Sequence, residues 1–240
     1  MRRFLLAVLL SLQVESALAS ECVVLLHGLG RSSLSMLPLQ LALESSGYDV
    51  SNRSYPSTER GIESLSTVVG EAIADCRYLD AEQIHFVTHS MGGILVRVYF
   101  QTHQVPEAKR MVMLAPPNHG SEIVDAYKDQ WWFRRATGPA GQQLGTDAES
   151  LPRRLAPIPL EIGVIAGTGS SDPWFSGQFS GEYDGKVSVE SAALPEMKDL
   201  LLVESGHTFM MNSKRVIEQV KTFLRNGAFS KPPTDQKKPN

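Results

Sequence analysis

The sequence predicts an α/β fold, a mostly parallel central sheet with helices on both faces. Three observations predict it. Six apolar runs of strand length recur along the chain, and several are continuous rather than alternating, as in strands buried on both faces. The stretches between them carry apolar residues at spacings of three and four, the mark of helices with one buried stripe. Strand-like and helix-like segments alternate, the order that crossovers between parallel strands produce.

Taken in order, "CVVLLHG" (Cys22 to Gly28) is the first strand, and Leu34, Leu37, Leu41 and Leu43 mark a helix that Gly47 stops. "YDVSNRSY" (Tyr48 to Tyr55) is the second strand. Ile62, Leu65, Val68, Val69, Ala72, Ile73 and Cys76 form the apolar stripe of the next helix. "QIHFVTH" (Gln83 to His89) is the third strand, followed at Gly92 and Gly93 by another helical pattern. "AKRMVMLAP" (Ala108 to Pro116), "PLEIGVIAG" (Pro159 to Gly167) and "DLLLVE" (Asp199 to Glu204) complete the set, and a final helix is expected to open at His207. Between Ser121 and Pro159 the pattern loosens, and residues 121–159 read as a small cap, a mobile flap or an irregular connection.

Length and composition set bounds around this core. The chain has 240 residues, 42% hydrophobic and 20% charged, enough for one domain with a substantial interior. Arg2 and Arg3 precede an apolar run from Phe4 to Leu12, and Ala17 to Ala19 supply small residues of the kind a signal peptidase reads. Residues 1–19 therefore read as a cleaved export signal, with a globular domain over 20–225 and a disordered tail over 226–240. A membrane anchor is the competing reading, but a spanning helix needs about 20 apolar residues. The net charge of −3 argues against a nucleic-acid partner.

Cys22 and Cys76 are the two cysteines of the chain. A right-handed crossover returns a helix to the end of the sheet where strands begin, which places Cys76 near Cys22. In an oxidising compartment they are candidates for a disulfide, the alternative being two buried thiols.

The candidate chemistry gathers where strands end. Ser90 lies between a strand and a glycine-led helix in "THSMGG", the setting of a serine presented on a sharp turn. Gly92 supplies the small residue such a turn needs on one side, while Thr88 puts a branched side chain on the other; a serine capping an ordinary helix is the plain alternative. "LLHGLG" (Leu25 to Gly30) follows the first strand, and the amides of Leu29 and Met91 are the candidate oxyanion donors, each such donor being worth about 3 kcal/mol. His27 is read as bracing this loop. Asp184, in "YDGKVSVESA", and His207, in "VESGHTFMM", complete a Ser90, Asp184, His207 order, with Asp172 as the rival acid. His85 and His89 read as structural, and His103 and His119 as surface or loop residues. No metal-ligand spacing or phosphate-cradling glycine loop occurs, so neither cofactor nor metal is implied.

Together "HGLG", "THSMGG", "APPNHGS", "DGKVSVESA" and "SGHTFMM", in that order, resemble the bacterial serine lipases and esterases of the α/β-hydrolase superfamily. The resemblance spans Cys22 to about Leu224. It implies the α/β-hydrolase fold, a nucleophile at Ser90, an acid at Asp184, a base at His207 and oxyanion donors at Leu29 and Met91. It further implies a carboxylic-ester hydrolase acting on a small-molecule or lipid ester, and the export signal makes that enzyme periplasmic or secreted. Trp131, Trp132, Phe133 and Trp174 are candidates for an acyl pocket, for a transient contact with a lipid surface, or for plain packing. Lipase and short-chain esterase both fit. The same residues would serve an acyltransferase, thioesterase or amidase, and a non-catalytic binding protein would be expected to lack one of them.

Overall fold

A computed structural model describes residues 20–170 and 176–230. The expected export signal, the last ten residues, Asp172 and Trp174 lie outside the described residues.

Six strands form one sheet: β1 (Glu21–Leu26), β2 (Asp49–Arg53), β3 (Gln83–His89), β4 (Ala108–Leu114), β5 (Glu161–Gly167) and β6 (Asp199–Val203). Their order is β2-β1-β3-β4-β5-β6, and every neighbouring pair is parallel. Central strands are buried almost throughout, which explains why they read as unbroken apolar runs. From β1 the chain first moves outward to β2, then returns past β1 to build the rest of the sheet. The crevice between the carboxyl ends of β1 and β3 is thus the switch point where open α/β sheets place their sites.

The helices are α1 (Leu37–Glu44), α2 (Ile62–Leu65), α3 (Thr67–Tyr78), α4 (Met91–Phe100), α5 (Glu122–Tyr127), α6 (Trp131–Gln142), α7 (Leu151–Arg154), α8 (Val189–Ala192) and α9 (Lys214–Asn226). One core cluster lies on the face covered by α2, α3, α4 and the 121–155 segment, and holds Val24, Phe86, Ile94 and Met111. The other lies under α1 and α9 and holds Val23, Val87, Leu39 and Phe223. Alternation along β3 sends Ile84, Phe86 and Thr88 to the first face and His85, Val87 and His89 to the second.

Three expectations about elements need correction. The helix before Gly47 forms, but Leu34, Leu37 and Leu41 are exposed, while Met36, Leu39 and Leu43 face the sheet. Both sets have spacings of three or four, so periodicity alone does not choose the buried stripe. His207 opens a 3₁₀ segment, His207–Asn212, and α9 starts only at Lys214. The domain also passes residue 225: Gly227 closes α9 with φ 71°, and Phe229 is buried with its ring 4.9 Å from that of Phe223. Phe229 N–H donates to Asp199 Oδ2 at 2.9 Å, which ties the segment after α9 to the start of β6.

Cys22 and Cys76 are joined in a disulfide with Cα atoms 5.6 Å apart, fastening α3 to the start of β1 across 54 residues of chain. Cross-linking a loop of this kind typically stabilises by about 2–4 kcal/mol. The Cys22→Ala/Cys76→Ala variant is expected to lose about 3 kcal/mol in urea unfolding. An unchanged urea midpoint would sink that expectation.

Buried histidines give a second prediction. His85 is fully buried, and burial, with the charges of Arg110 and Lys109, lowers its pKa to about 4 although Glu21 Oε2 lies 3.3 Å away. Burial also lowers His27 and holds His89 well below the usual histidine value. The unfolded chain therefore binds more protons below about pH 6.5. Stability is complete above that pH and falls from about 6.5 toward 4, by at most about 1.4 kcal/mol per pH unit for each histidine. His85→Gln is expected to make this slope shallower in chemical unfolding between pH 6.5 and 4; an identical slope would contradict it.

Candidate active site

Ser90 occupies the turn between β3 and α4 with φ 53° and ψ −126°, a region that L residues rarely adopt and that costs about 1–3 kcal/mol. The surroundings hold it there. Ser90 N–H donates to Leu114 O at 2.8 Å, and Gly93 N–H donates to Ser90 O at 3.0 Å. A Cβ on Gly92 would stand 2.6 Å from Leu26 O, and one on Gly28 would stand 3.0 Å from Ser90 Cβ. The turn is thus pressed onto the end of β1, and glycine on both sides of the contact makes that approach possible.

Thr88 lies on the α4 face of the sheet, opposite His89 and His207. A Cβ on Gly93 would come within 3.1 Å of Thr88 Oγ1. Thr88 is therefore accommodated by the glycine five residues later, and its side chain stays clear of the approach to Ser90.

His207 brings β6 and the segment after β5 to this turn. Its Nδ1 lies 2.8 Å from Asp184 Oδ2, and its Nε2 lies 3.1 Å from Ser90 Oγ. With an ionised Asp184 the proton sits on Nδ1 and donates to the carboxylate, which leaves Nε2 as acceptor for the Ser90 hydroxyl. Asp184 stands 17 residues beyond β5, in a tight turn closed by the Tyr183 to Ser188 bridge. The amides of Lys186 and Val187 both donate to Asp184 Oδ1 at 2.9 Å, and Gly185 takes φ 101° to allow it. One carboxylate oxygen is thus fixed by the backbone and the other is aimed at the imidazole. Gly167, at the end of β5, leaves room for the Asp184 side chain, since a Cβ there would meet Asp184 Cβ at 2.7 Å.

The two other histidines near the turn are braces. His89 lies with Nε2 2.9 Å from His207 O, and its ring centroid is 4.8 Å from that of His207. As burial keeps His89 neutral, Nε2–H donates to that carbonyl. His27 donates from Nδ1 to Gly28 O at 2.8 Å, accepts Tyr55 N–H at Nε2 at 3.3 Å, and stacks on the Tyr55 ring at 4.0 Å. Tyr55 OH donates to His27 O, and Gly30 N–H donates to Ser57 Oγ at 2.9 Å. The segment after β2 therefore holds the loop carrying Leu29. Sequence reading missed Tyr55 and Ser57, although they stand at the carboxyl end of a strand next to β1. Among the described residues the Leu29 amide meets no acceptor, and Met91 opens α4, where an amide lacks an intrahelical acceptor.

An apolar cavity of about 280 Å³ opens beside Ser90 and His207, with Leu29, Val124, Phe133, Leu144 and Val187 among its walls. Half of its lining residues come from the 121–155 segment, which is largely helical. Gly138, with φ 60°, breaks α6 and lets it touch the backbone of Thr58; Gln143 accepts Ile62 N–H at 2.7 Å and donates to Glu63. The far end is held by buried Arg97, which donates to Asn118 Oδ1 at 3.1 Å and to Leu155 O at 3.2 Å. Trp132 and Phe133 line the cavity, whereas Trp131 points to solvent with 76% of its surface exposed.

Among curated protein sequences none matches this chain significantly. Solved structures do. The mature form of lipase BlEst2 from Bacillus licheniformis superposes with a TM-score of 0.72 at 19% identity, over 87% of this chain and 92% of that one. The metagenomic carboxyl esterase MGS0156 superposes with a TM-score of 0.63 at 19% identity, over 80% of this chain and 65% of that one. Phospholipase PlaB from Legionella pneumophila gives 0.56 at 15% identity, over 72% of this chain and 46% of that one. At such identities the likeness establishes the fold. Residues 21–200 match the family model of the alpha/beta hydrolase fold, and with the all-parallel sheet and its switch-point crevice this chain belongs to that family.

Proposed function

We infer that the protein is a carboxylic-ester hydrolase working through an acyl-serine intermediate. The observation that carries this reading is the hydrogen-bonded line Asp184, His207, Ser90 at the opening of an apolar cavity. In the proposed reaction His207 Nε2 takes the Ser90 proton as Oγ attacks the ester carbonyl. The oxyanion that forms is received by the amides of Leu29 and Met91, at the end of β1 and the start of α4. Collapse expels the alcohol, which leaves with the proton from His207. A water molecule, deprotonated by the same nitrogen, then releases the acid and restores Ser90. Asp184 holds the imidazole in the tautomer that accepts from serine and stabilises its charged form.

A periplasmic or secreted location is part of the same proposal. The disulfide favours an oxidising location, and no helix among the described residues is long and apolar enough to cross a membrane. The disulfide supports the reading of residues 1–19 as an export signal.

Ser90→Ala is expected to abolish labelling by a fluorophosphonate probe and to reduce p-nitrophenyl ester turnover at least about 10³-fold. Labelling or turnover that survives the substitution would overturn the assignment of the nucleophile.

The cavity also sets an expectation for chain length. At about 30 Å³ per water-sized group, 280 Å³ holds roughly nine heavy atoms, so acyl chains of about six to eight carbons should give the highest kcat/KM. Leu144→Ala enlarges the cavity and is expected to move the optimum to longer chains. An optimum that stays in place across an acetate to dodecanoate series would show that the acyl chain lies elsewhere.

A further inference from the structure

Among the described residues the cavity beside Ser90 is lined by two cations, Arg31 and Lys186, and by no aspartate or glutamate, although the whole chain is acidic. Arg31 follows the Leu29–Gly30 loop directly. Its guanidinium carbon lies 5.9 Å from the centroid of the Phe209 ring, two residues beyond His207, and no carboxylate pairs with it among the described residues. A half-buried arginine held on an aromatic face, with its donor fork unpaired, is poised for a planar anion. Lys186, whose amide grips Asp184, lines the same cavity. The positive potential extends inward: after burial and the His207 charge, Arg31 and Lys186 are among the causes that keep His89 neutral.

The rest of the wall is mostly apolar and suits the acyl chain, which leaves the two cations to the alcohol half of the ester. We propose that the preferred substrates are acyl esters whose alcohol portion carries a negative charge, a carboxylate or a phosphate ester, and that Arg31 is the residue that selects them. This rests on the ester-hydrolase reading above. A cation at the opening draws an anionic substrate in and holds it through charge-assisted hydrogen bonds.

The test compares two monomeric chromogenic esters with one acyl chain, p-nitrophenyl hexanoate and 3-hexanoyloxy-4-nitrobenzoate, the second anionic, at concentrations below any aggregation. In Arg31→Gln the ratio of kcat/KM for the anionic ester to that for the neutral one is expected to fall about five- to tenfold, chiefly through KM, while Arg31→Lys keeps most of it. Added salt should lower the same ratio in the wild type and much less in Arg31→Gln. A ratio within twofold of wild type in Arg31→Gln, or an equal loss on both esters, overturns the proposal. So does a dependence on Arg31 seen only with anionic phospholipid vesicles, which would make it a contact to the lipid surface. Absence of turnover of both esters by the wild type, together with absence of Ser90-dependent fluorophosphonate labelling, would instead remove the hydrolase reading on which the proposal stands.

Discussion

The site depends on one close contact, the backbone of the Ser90 turn pressed against the end of β1. Gly92 stands so near Leu26 O that a methyl group would collide with it, and a methyl group on Gly28 would stand 3.0 Å from Ser90 Cβ. This contact holds Ser90 at a positive φ that serine does not favour. The cost of that conformation is small beside what fixes it, because β1 and β3 are paired over six registered residues and both are buried. Strain is thus held by the rigid middle of the sheet rather than by a loop. The same contact places the loop carrying Leu29 beside the first turn of α4, the two segments whose amides the proposed reaction uses.

Around that rigid point the other two side chains are brought in by shorter-range devices. Asp184 is far along the chain from its strand and is recovered by a turn in which two amides grip one carboxylate oxygen. His207 N–H donates to Asp184 O at 2.9 Å, so backbone and side chain of Asp184 both hold the histidine. The cap is fixed on opposite flanks, to the segment after β2 through Gly138 and Gln143 and to α4 through Arg97. The segment after β2 in turn braces the Leu29 loop through Tyr55 and Ser57. Cap and loop therefore share a support, the segment after β2, which holds both the cavity wall and the loop carrying Leu29.

Much of this was legible in the sequence, and the exceptions have physical causes. Buried parallel strands announce themselves by unbroken apolar runs, and the crossover rule carried Cys76 to Cys22 without any pairwise signal. The face of α1 was not legible, because Leu34–Leu37–Leu41 and Met36–Leu39–Leu43 have equally helical spacing and only the sheet decides between them. The continuation through Phe229 was hidden by the polar composition of the segment after it, which masked one aromatic anchor. Thr88 looked like an obstacle because a motif considers residues two places from the serine. In three dimensions its neighbour is Gly93, across the turn. The cavity walls were least legible of all, since Leu144 and Val187 meet only when two distant loops close over β3 and β4.

The histidines show how burial divides one residue type among tasks. His27, His85 and His89 lie in the interior, and burial keeps each of them neutral at the pH where free histidine begins to charge. His207 is just as hidden from solvent but meets a carboxylate on one nitrogen and a serine on the other. In the proposed reaction it alone must gain and lose a proton. Were His89 charged, it would place a like charge with its ring centroid 4.8 Å from that of His207 and oppose the imidazolium that the reaction requires. Because His89 spends its Nε2–H on the His207 carbonyl and faces Gly28 with the other nitrogen, it supports the base mechanically while contributing no charge to it. In the proposed reaction a neutral brace beside the base is therefore the arrangement that lets a crowded, strained turn carry proton transfer without competing for the proton.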